Sequence, residues 1–278
     1  MNRTLATAMR ERLDPHFTRK LEEFSSALEK RSVLDHRTLV LVQVGQFTVT
    51  RSHSRLDEIL RVALAEDLAR DALEVILQCS VYTGDGVVGP ALEAFTTLAQ
   101  ETGQLNSLGS GGVPAEGPGP RVLEEERRSW HPDDLNDARR QRLMDKYGWE
   151  GISTGLRLRP KHHLDILEYL DAIDEDFARH WLDFVYDGMY IRGVLDDRTR
   201  LLCLIGELSA LGETTQLPQH MKVALRSGAS PAEVKEVILQ SSINFGMPYM
   251  LRAMALFVTV MREAGRLDEI GNPAAAVQ

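Results

Sequence analysis

Apolar residues recur three and four positions apart along much of the chain, the spacing of helices that bury one face. Leu201, Leu204, Leu208 and Leu211 fall on one such stripe, and Val234, Val237, Ile238 and Ile243 on another. Alternation with period two is nowhere sustained and Asn-Gly hairpin signals are absent. The pattern therefore predicts helices, although the many Val and Ile residues leave some strand open. Helix starts are marked as well. DHRTLVLVQVGQF and DDRTRLLCLIGEL each open with Asp at an N-cap position, where a carboxylate accepts an orphan backbone N–H. Ser230-Pro231-Ala232-Glu233 spells a capping box with Pro at the first helical position, after Gly228, which suits the end of the preceding helix. Gly246 and Pro248 punctuate before MLRAMALFVTVMREAG, a helix closed by Gly265, and KHHLDILEYLDAID reads as a short amphipathic helix.

The pattern occurs twice. Val33-Leu34-Asp35-His36-Arg37-Thr38 matches Val194-Leu195-Asp196-Asp197-Arg198-Thr199, and Val62-Ala63-Leu64 matches Val223-Ala224-Leu225. After a one-residue slip, Glu74-Val75-Ile76-Leu77-Gln78 matches Glu236-Val237-Ile238-Leu239-Gln240. Upstream, Phe17, Leu21 and Phe24 match Phe177, Trp181 and Phe184. Matches in one order at nearly one offset predict two copies of one helical unit, roughly 13–105 and 173–268. The expected organisation is a first repeat over 1–105, an insert over 106–172, a second repeat over 173–268 and a tail over 269–278. Ser107 to Pro120 is rich in Gly, Ser and Pro and reads as a linker or exposed loop. The charged stretch that follows reads as helical after Pro132-Asp133-Asp134 and is expected to pack against the repeats and partly cover them.

Composition removes several function classes. With 278 residues the chain is long enough for one large domain or two ordinary ones. Lys and Arg number 32 against 41 Asp and Glu, a formal charge of -9, which argues against a nucleic-acid partner. Two cysteines, Cys79 and Cys203, make no disulfide framework and no CxxC pair. No apolar run reaches the roughly 20 residues that span a bilayer, so no membrane partner is expected. The N-terminus lacks the apolar core of a secretory signal, which leaves the cytoplasm as the expected compartment.

The stretch QLPQHMKVALRSGASPAEVKEVILQ, with His220 four residues before Ala224, resembles the carboxymuconolactone decarboxylase family. That family shares the all-α fold of alkyl hydroperoxide reductase D. The resemblance covers both repeats and not the insert. It implies an all-α protein with two fused repeats, a homo-oligomer with a trimer as the expected form, and, on its decarboxylase branch, chemistry without a cofactor. The family's redox members carry CxxC three residues before a His. Aligned on His220, Thr214 and Leu217 stand at the two cysteine places, and Arg200 is followed by Leu201 where those members have Glu. Peroxidase chemistry of that type is thus disfavoured, and the decarboxylase branch is the better match.

Candidate chemistry centres on the second repeat. His220 is the expected general acid, because imidazole moves a proton near neutral pH without a large shift. Its place in the first repeat is taken by Ile59. Glu207 lies among Cys203, Gly206 and Ala210, where burial would raise its pKa; its counterpart is Gln46. Either Glu207 or Glu213 is expected to set the imidazole tautomer. Arg51 and His53 occupy the equivalent turn of the first repeat, and Arg51 suits a substrate carboxylate. Tyr82 and Asn244 match each other after the two EVILQ runs and could bind a ligand. Each of these residues also has a plain structural reading, as an interface histidine, a capped or turn carboxylate, a solvated turn or a helix cap. His162-His163 invites a metal, but adjacent histidines on a helix diverge by about 100° and nothing completes a site, so none is expected. Trp130, Tyr147 and Trp149 read as anchors of the insert, and the cysteines as buried, inert thiols.

The expectation is an acid/base enzyme without cofactor or metal, acting on a small unsaturated lactone or related carboxylic acid by decarboxylation or by isomerisation, dehydration or cyclisation. A non-catalytic ligand-binding or assembly protein on the same fold is the alternative, and a peroxidase using a lone thiol is the third.

Overall fold

The computed structural model describes residues 5–108, 138–158, 160–190 and 192–271. Among them every regular element is helical and no strand occurs. In chain order these are α1 (Leu5–Leu13), α2 (Pro15–Glu29), α3 (His36–Val49), α4 (His53–Ala65), α5 (Ala69–Gln78), the short α6 (Ser80–Thr83) and α7 (Asp85–Glu101). Then come α8 (Ala138–Tyr147), α9 (Trp149–Leu158), α10 (Pro160–Ile173) and α11 (Glu175–Leu182), which runs into a π-helix over Asp183–Tyr190. The chain continues through α12 (Asp197–Leu211), α13 (Leu217–Arg226), α14 (Pro231–Phe245) and α15 (Met247–Glu263). No helix of the described residues is long and apolar enough to cross a membrane.

The segments paired in the sequence carry the same local devices. Asp14 and Asp174 each accept the backbone N–H three residues on at 2.9 Å. Asp35 accepts the N–H of Thr38 at 2.8 Å and its hydroxyl at 2.7 Å. Asp196 treats Thr199 in the same way, at 2.9 and 2.8 Å. The capping box of α14 forms as the sequence indicates, with the Ser230 N–H donating to Glu233 at 2.7 Å. Gly228 takes a positive φ of 94°, a conformation open to glycine alone without strain.

The central pair is α3 crossing α12, and both helices are buried almost throughout. Glycine allows the close approach. A Cβ at Gly45 would sit 2.7 Å from an oxygen of Glu207, and one at Gly206 would sit 2.9 Å from Val42. Around this crossing a single apolar core joins both segments and the insert, whose Leu143, Ile152, Leu164 and Leu167 are all buried in it. Of the α12 stripe, Leu201, Leu204 and Leu208 are buried and Leu211 is exposed, because it closes the last turn. The linker reading and the Trp130 anchor lie outside the described residues, as does the side chain of Trp149. Tyr147 donates to Asp171 and lies under the Arg179 guanidinium, which fastens α8 to α10 and α11.

Candidate functional site

The segments interlock through buried polar groups. Glu74 of α5, only 1% exposed, accepts from Arg192 at 2.9 Å and from the equally buried Arg200 at 2.7 Å. In the reverse direction, Glu236 of α14 accepts from Arg31 at 2.7 Å. Burying a carboxylate is costly unless it is paired, so each segment completes the other's ion pair. From Arg200 the network turns inward. Its guanidinium contacts the Gln78 carbonyl oxygen at 3.3 Å, and the Gln78 amide donates to Glu207 at 2.6 Å.

Glu207 is fully buried on α12. Burial pushes its pKa up to about 7, against the pull of the Gln78 hydrogen bond, the Cys79 thiol and the Arg200 charge. Its Oε2 has no hydrogen-bond partner, so the ionised form lacks support there. Burial also pushes the Cys79 and Cys203 thiols well above their usual range, so neither offers a ready thiolate.

His220 is fully buried on α13. Its Nδ1 lies 2.9 Å from the carbonyl of Gln216 one turn earlier. A carbonyl only accepts, so Nδ1 carries the hydrogen, and the neutral ring presents a bare Nε2. Nε2 lies 2.7 Å from the hydroxyl of Tyr82. Tyr82 stands just beyond the end of α5, and its hydroxyl is 3.0 Å from that of Tyr190, the last residue of the π-helix. Tyr82, Tyr190, Arg200 and Gln78 meet Val81, Met189 and Leu204 around a narrow void. What surface it exposes is apolar, and it is too narrow in this arrangement for a water molecule.

The structure places the expected site residues differently. His220 and Tyr82 are in direct contact across the two segments. Glu207 belongs to the same polar network by way of Gln78 and Arg200. Glu213 does something else: it accepts the backbone N–H groups of Thr215, Gln216 and Leu217 at 2.7, 2.5 and 3.0 Å. It caps the helix that carries His220. The expectation that Glu207 or Glu213 sets the tautomer is therefore corrected, because the Gln216 carbonyl holds Nδ1.

Asn244 donates to Gln46 at 2.9 Å and does not line the void at Tyr82. Arg51 and His53 are exposed in the α3–α4 turn, with Arg51 at a positive φ of 55°. Neither lines the void at Tyr82. The cation that does is Arg200, and sequence reasoning passed over it. Its signal was an Arg inside an apolar helix at a position where the first segment has Leu39. Tyr190 was also missed, having no counterpart in the matched motifs.

Comparison with known proteins adds the family. A model described as the carboxymuconolactone decarboxylase family matches residues 175–259. A 4-carboxymuconolactone decarboxylase of Acinetobacter baylyi is 32% identical over 115 residues, covering 41% of this chain and 86% of the relative. An uncharacterised 15.0 kDa protein of Paracoccus denitrificans is 33% identical over 94 residues, 33% of this chain and 67% of the relative.

Proposed function

The chain belongs to the carboxymuconolactone decarboxylase family, and from that premise we propose that it is an acid/base enzyme acting on a small unsaturated carboxylic acid of the lactone kind, with no cofactor. The 2.7 Å contact between Tyr82 and His220 carries this reading. An imidazole with one nitrogen pinned and the other facing a phenol beside a buried cation is equipment for moving a proton next to a bound anion.

In such a substrate the conjugated carbonyl is itself the electron sink. The protein has to hold the carboxylate, stabilise the developing enolate and deliver a proton to carbon. Arg200 is the cation facing the void, and its contacts there, Gln78 at 3.3 Å and Met189 sulfur at 3.4 Å, are weak enough for a carboxylate to displace. Glu74 holds the opposite side of the same guanidinium and fixes its plane. Tyr82 faces the void and His220 stands behind it, so the imidazole acts through the phenol. When the ring is protonated, Nε2–H donates to Tyr82, which frees the phenol's own hydrogen to be passed on. A positioned donor of this kind contributes about 10²–10⁴-fold. Val81 and Leu204 supply the apolar wall that excludes water.

The chain, on this reading, is two fused copies of one unit with one working site, since Ile59, Gln46 and Asn244 leave the other half without an acid/base group. Exposed Phe17 and Phe24 on α2, and Phe177 and Phe184 at the matched positions, support the self-association that the resemblance implies. The narrowness of the void favours a second reading, a binding protein whose pocket opens for its ligand without turnover. The test is carbon dioxide release and ultraviolet loss on a panel of carboxylated unsaturated lactones. Turnover abolished by Tyr82→Phe or His220→Ala supports the enzyme, while ligand-induced thermal stabilisation with no product supports the binder.

A further inference from the structure

We propose that Tyr190 is the outer member of a proton relay Tyr190–Tyr82–His220, and that a one-residue insertion in the second segment, expressed as the π-helix, puts it there. The proposal rests on the acid/base reading above and on the two segments being copies of one unit.

The insertion can be counted. Asp14 and Asp174, Phe17 and Phe177, and Phe24 and Phe184 are each 160 positions apart. Arg31 and Arg192, and Asp35 and Asp196, are each 161 apart. One extra residue therefore lies between Phe184 and Arg192. In the first segment the matching stretch is α2, an ordinary α-helix through Glu29. In the second it is the π-helix Asp183–Tyr190. A widened turn is how a helix absorbs a single added residue, and such turns are rare and cluster at functional sites. Gly188 makes room for it, since a Cβ there would stand 3.1 Å from the carbonyl oxygen of Asp183.

The extra residue changes which side chain meets the site. A π turn takes one residue more than an α turn, so side chains within the widened stretch are re-aimed while the chain beyond it keeps its register. Tyr190, at the end of the widened stretch, is buried, with its hydroxyl 3.0 Å from that of Tyr82. The ring is held in place as well. Tyr186 stacks on it at 5.6 Å, and Tyr186 in turn meets His163 of α10 edge-on at 4.4 Å. The insert thus braces the relay from behind.

Hydrogen counting fixes the direction of the bonds. With His220 neutral, Nε2 accepts, so Tyr82 spends its one hydrogen on the imidazole and must accept from Tyr190. With His220 protonated, every bond reverses: Nε2–H donates to Tyr82, Tyr82 donates to Tyr190, and the Tyr190 hydrogen turns towards the void. Transfer then moves one proton along the row. The imidazolium proton passes to the Tyr82 oxygen, the Tyr82 hydrogen to the Tyr190 oxygen, and the Tyr190 hydrogen to the substrate carbanion. A neutral imidazole and two neutral phenols remain, and the substrate has gained one proton. No oxidant or metal is needed.

The experiment has two arms on the full chain. The first reads the ¹⁵N resonances of the His220 imidazole without substrate, in wild type and in Tyr190→Phe. Bonds in a row strengthen one another, so loss of the Tyr190 hydroxyl should weaken the Tyr82 bond and move Nε2 towards the value of a poorly bonded nitrogen, while Nδ1 stays put. Deletion of Gly188, which restores the α-helical register, should give the same Nε2 shift. If that deletion does not fold, Tyr190→Phe decides alone. The second arm measures turnover of the acid that wild type consumes. Tyr190→Phe should lower kcat about 10- to 100-fold and change KM much less, as expected for a group used in proton transfer. An Nε2 resonance identical in Tyr190→Phe and wild type overturns the relay. Absence of wild-type turnover on every acid would sink the acid/base reading instead, and the resonances would still report whether the three groups are coupled.

Discussion

The hydroxyl of Tyr82 lies 2.7 Å from Nε2 of His220, although 138 positions separate them in the chain. Neither segment can form this contact alone, so the interlocking of the two segments and the assembly of the site are one event. Because both groups act on the same proton, their removal should not add. Tyr82→Phe and His220→Gln should each lower kcat/KM by about 10²–10⁴-fold, and the double variant should be scarcely worse than the worse single one. A double-mutant cycle on turnover checks this; additive losses would mean the two groups serve different steps.

Glu207 predicts a pH dependence of stability. Its folded pKa is about 7 against an ordinary 4.5. Between those values the folded chain holds a proton that the unfolded chain has released, so stability falls as pH rises through this window and stays low above it. The shift corresponds to about 3 kcal/mol. Glu207→Gln should flatten the profile between about pH 4.5 and 7 and raise the midpoint of denaturant unfolding at pH 8. The carboxamide fits in principle, as Gln46 holds the matching place on α3. An unchanged slope in the variant would show that Glu207 is not the group responsible.

Removal of Glu74 should be severe. Glu74→Gln leaves Arg200 and Arg192 without their shared carboxylate, and breaking a buried pair from one side costs about 3–5 kcal/mol. Arg31→Ala also strands a buried carboxylate, Glu236 at 2% exposed, and should cost less only because the Gln240 amide still donates to it at 2.9 Å. Thermal melts of the two variants side by side test the ordering.

Gly45→Ala pushes a methyl group to within 2.7 Å of the Glu207 carboxylate, inside the tightest helix crossing. The expected loss is about 1–3 kcal/mol, the range for overpacking a core. Pairing it with Glu207→Gln should not relieve it, because the clash involves the side-chain stem at 2.9 Å as well. Recovery in the pair would place the strain in the carboxylate charge.

Glu213→Ala separates support from chemistry. It removes an acceptor from three backbone N–H groups at the start of α13 and should cost about 0.5–2 kcal/mol, as loss of a helix cap does. Since the Gln216 carbonyl holds the imidazole, the pH profile of turnover should keep its shape. A displaced profile would give Glu213 an electrostatic role at His220.

The fold was legible because its signals are local. Asp35, Asp196 and the Ser230–Glu233 box announce helix starts by chemistry that acts within one turn, and the apolar stripes show which helix faces are buried. The family followed from a short run of residues around His220. The site was legible only in part, because it is built between segments. His220 and Tyr82 were each singled out, and nothing in their spacing says that they touch. Arg200 was passed over because a cation in an apolar helix explains itself only when Glu74, from the other segment, is seen beside it. Arg51 looked the better carboxylate binder in a turn that the structure leaves exposed. Tyr190 was hidden for a different reason: its place depends on a single added residue, which periodicity over a window averages away.

The central claim is that a Tyr82–His220 pair moves a proton beside an anion held by Arg200. Its most direct test is turnover of carboxylated unsaturated lactones, followed by carbon dioxide release with chelator present, in wild type, Tyr82→Phe, His220→Ala and Arg200→Lys. The account predicts turnover in wild type that survives the chelator, a collapse of kcat in the first two variants, and a raised KM in the third, where a fork of donors becomes a point charge. Turnover that persists at the wild-type rate in Tyr82→Phe and His220→Ala would contradict it.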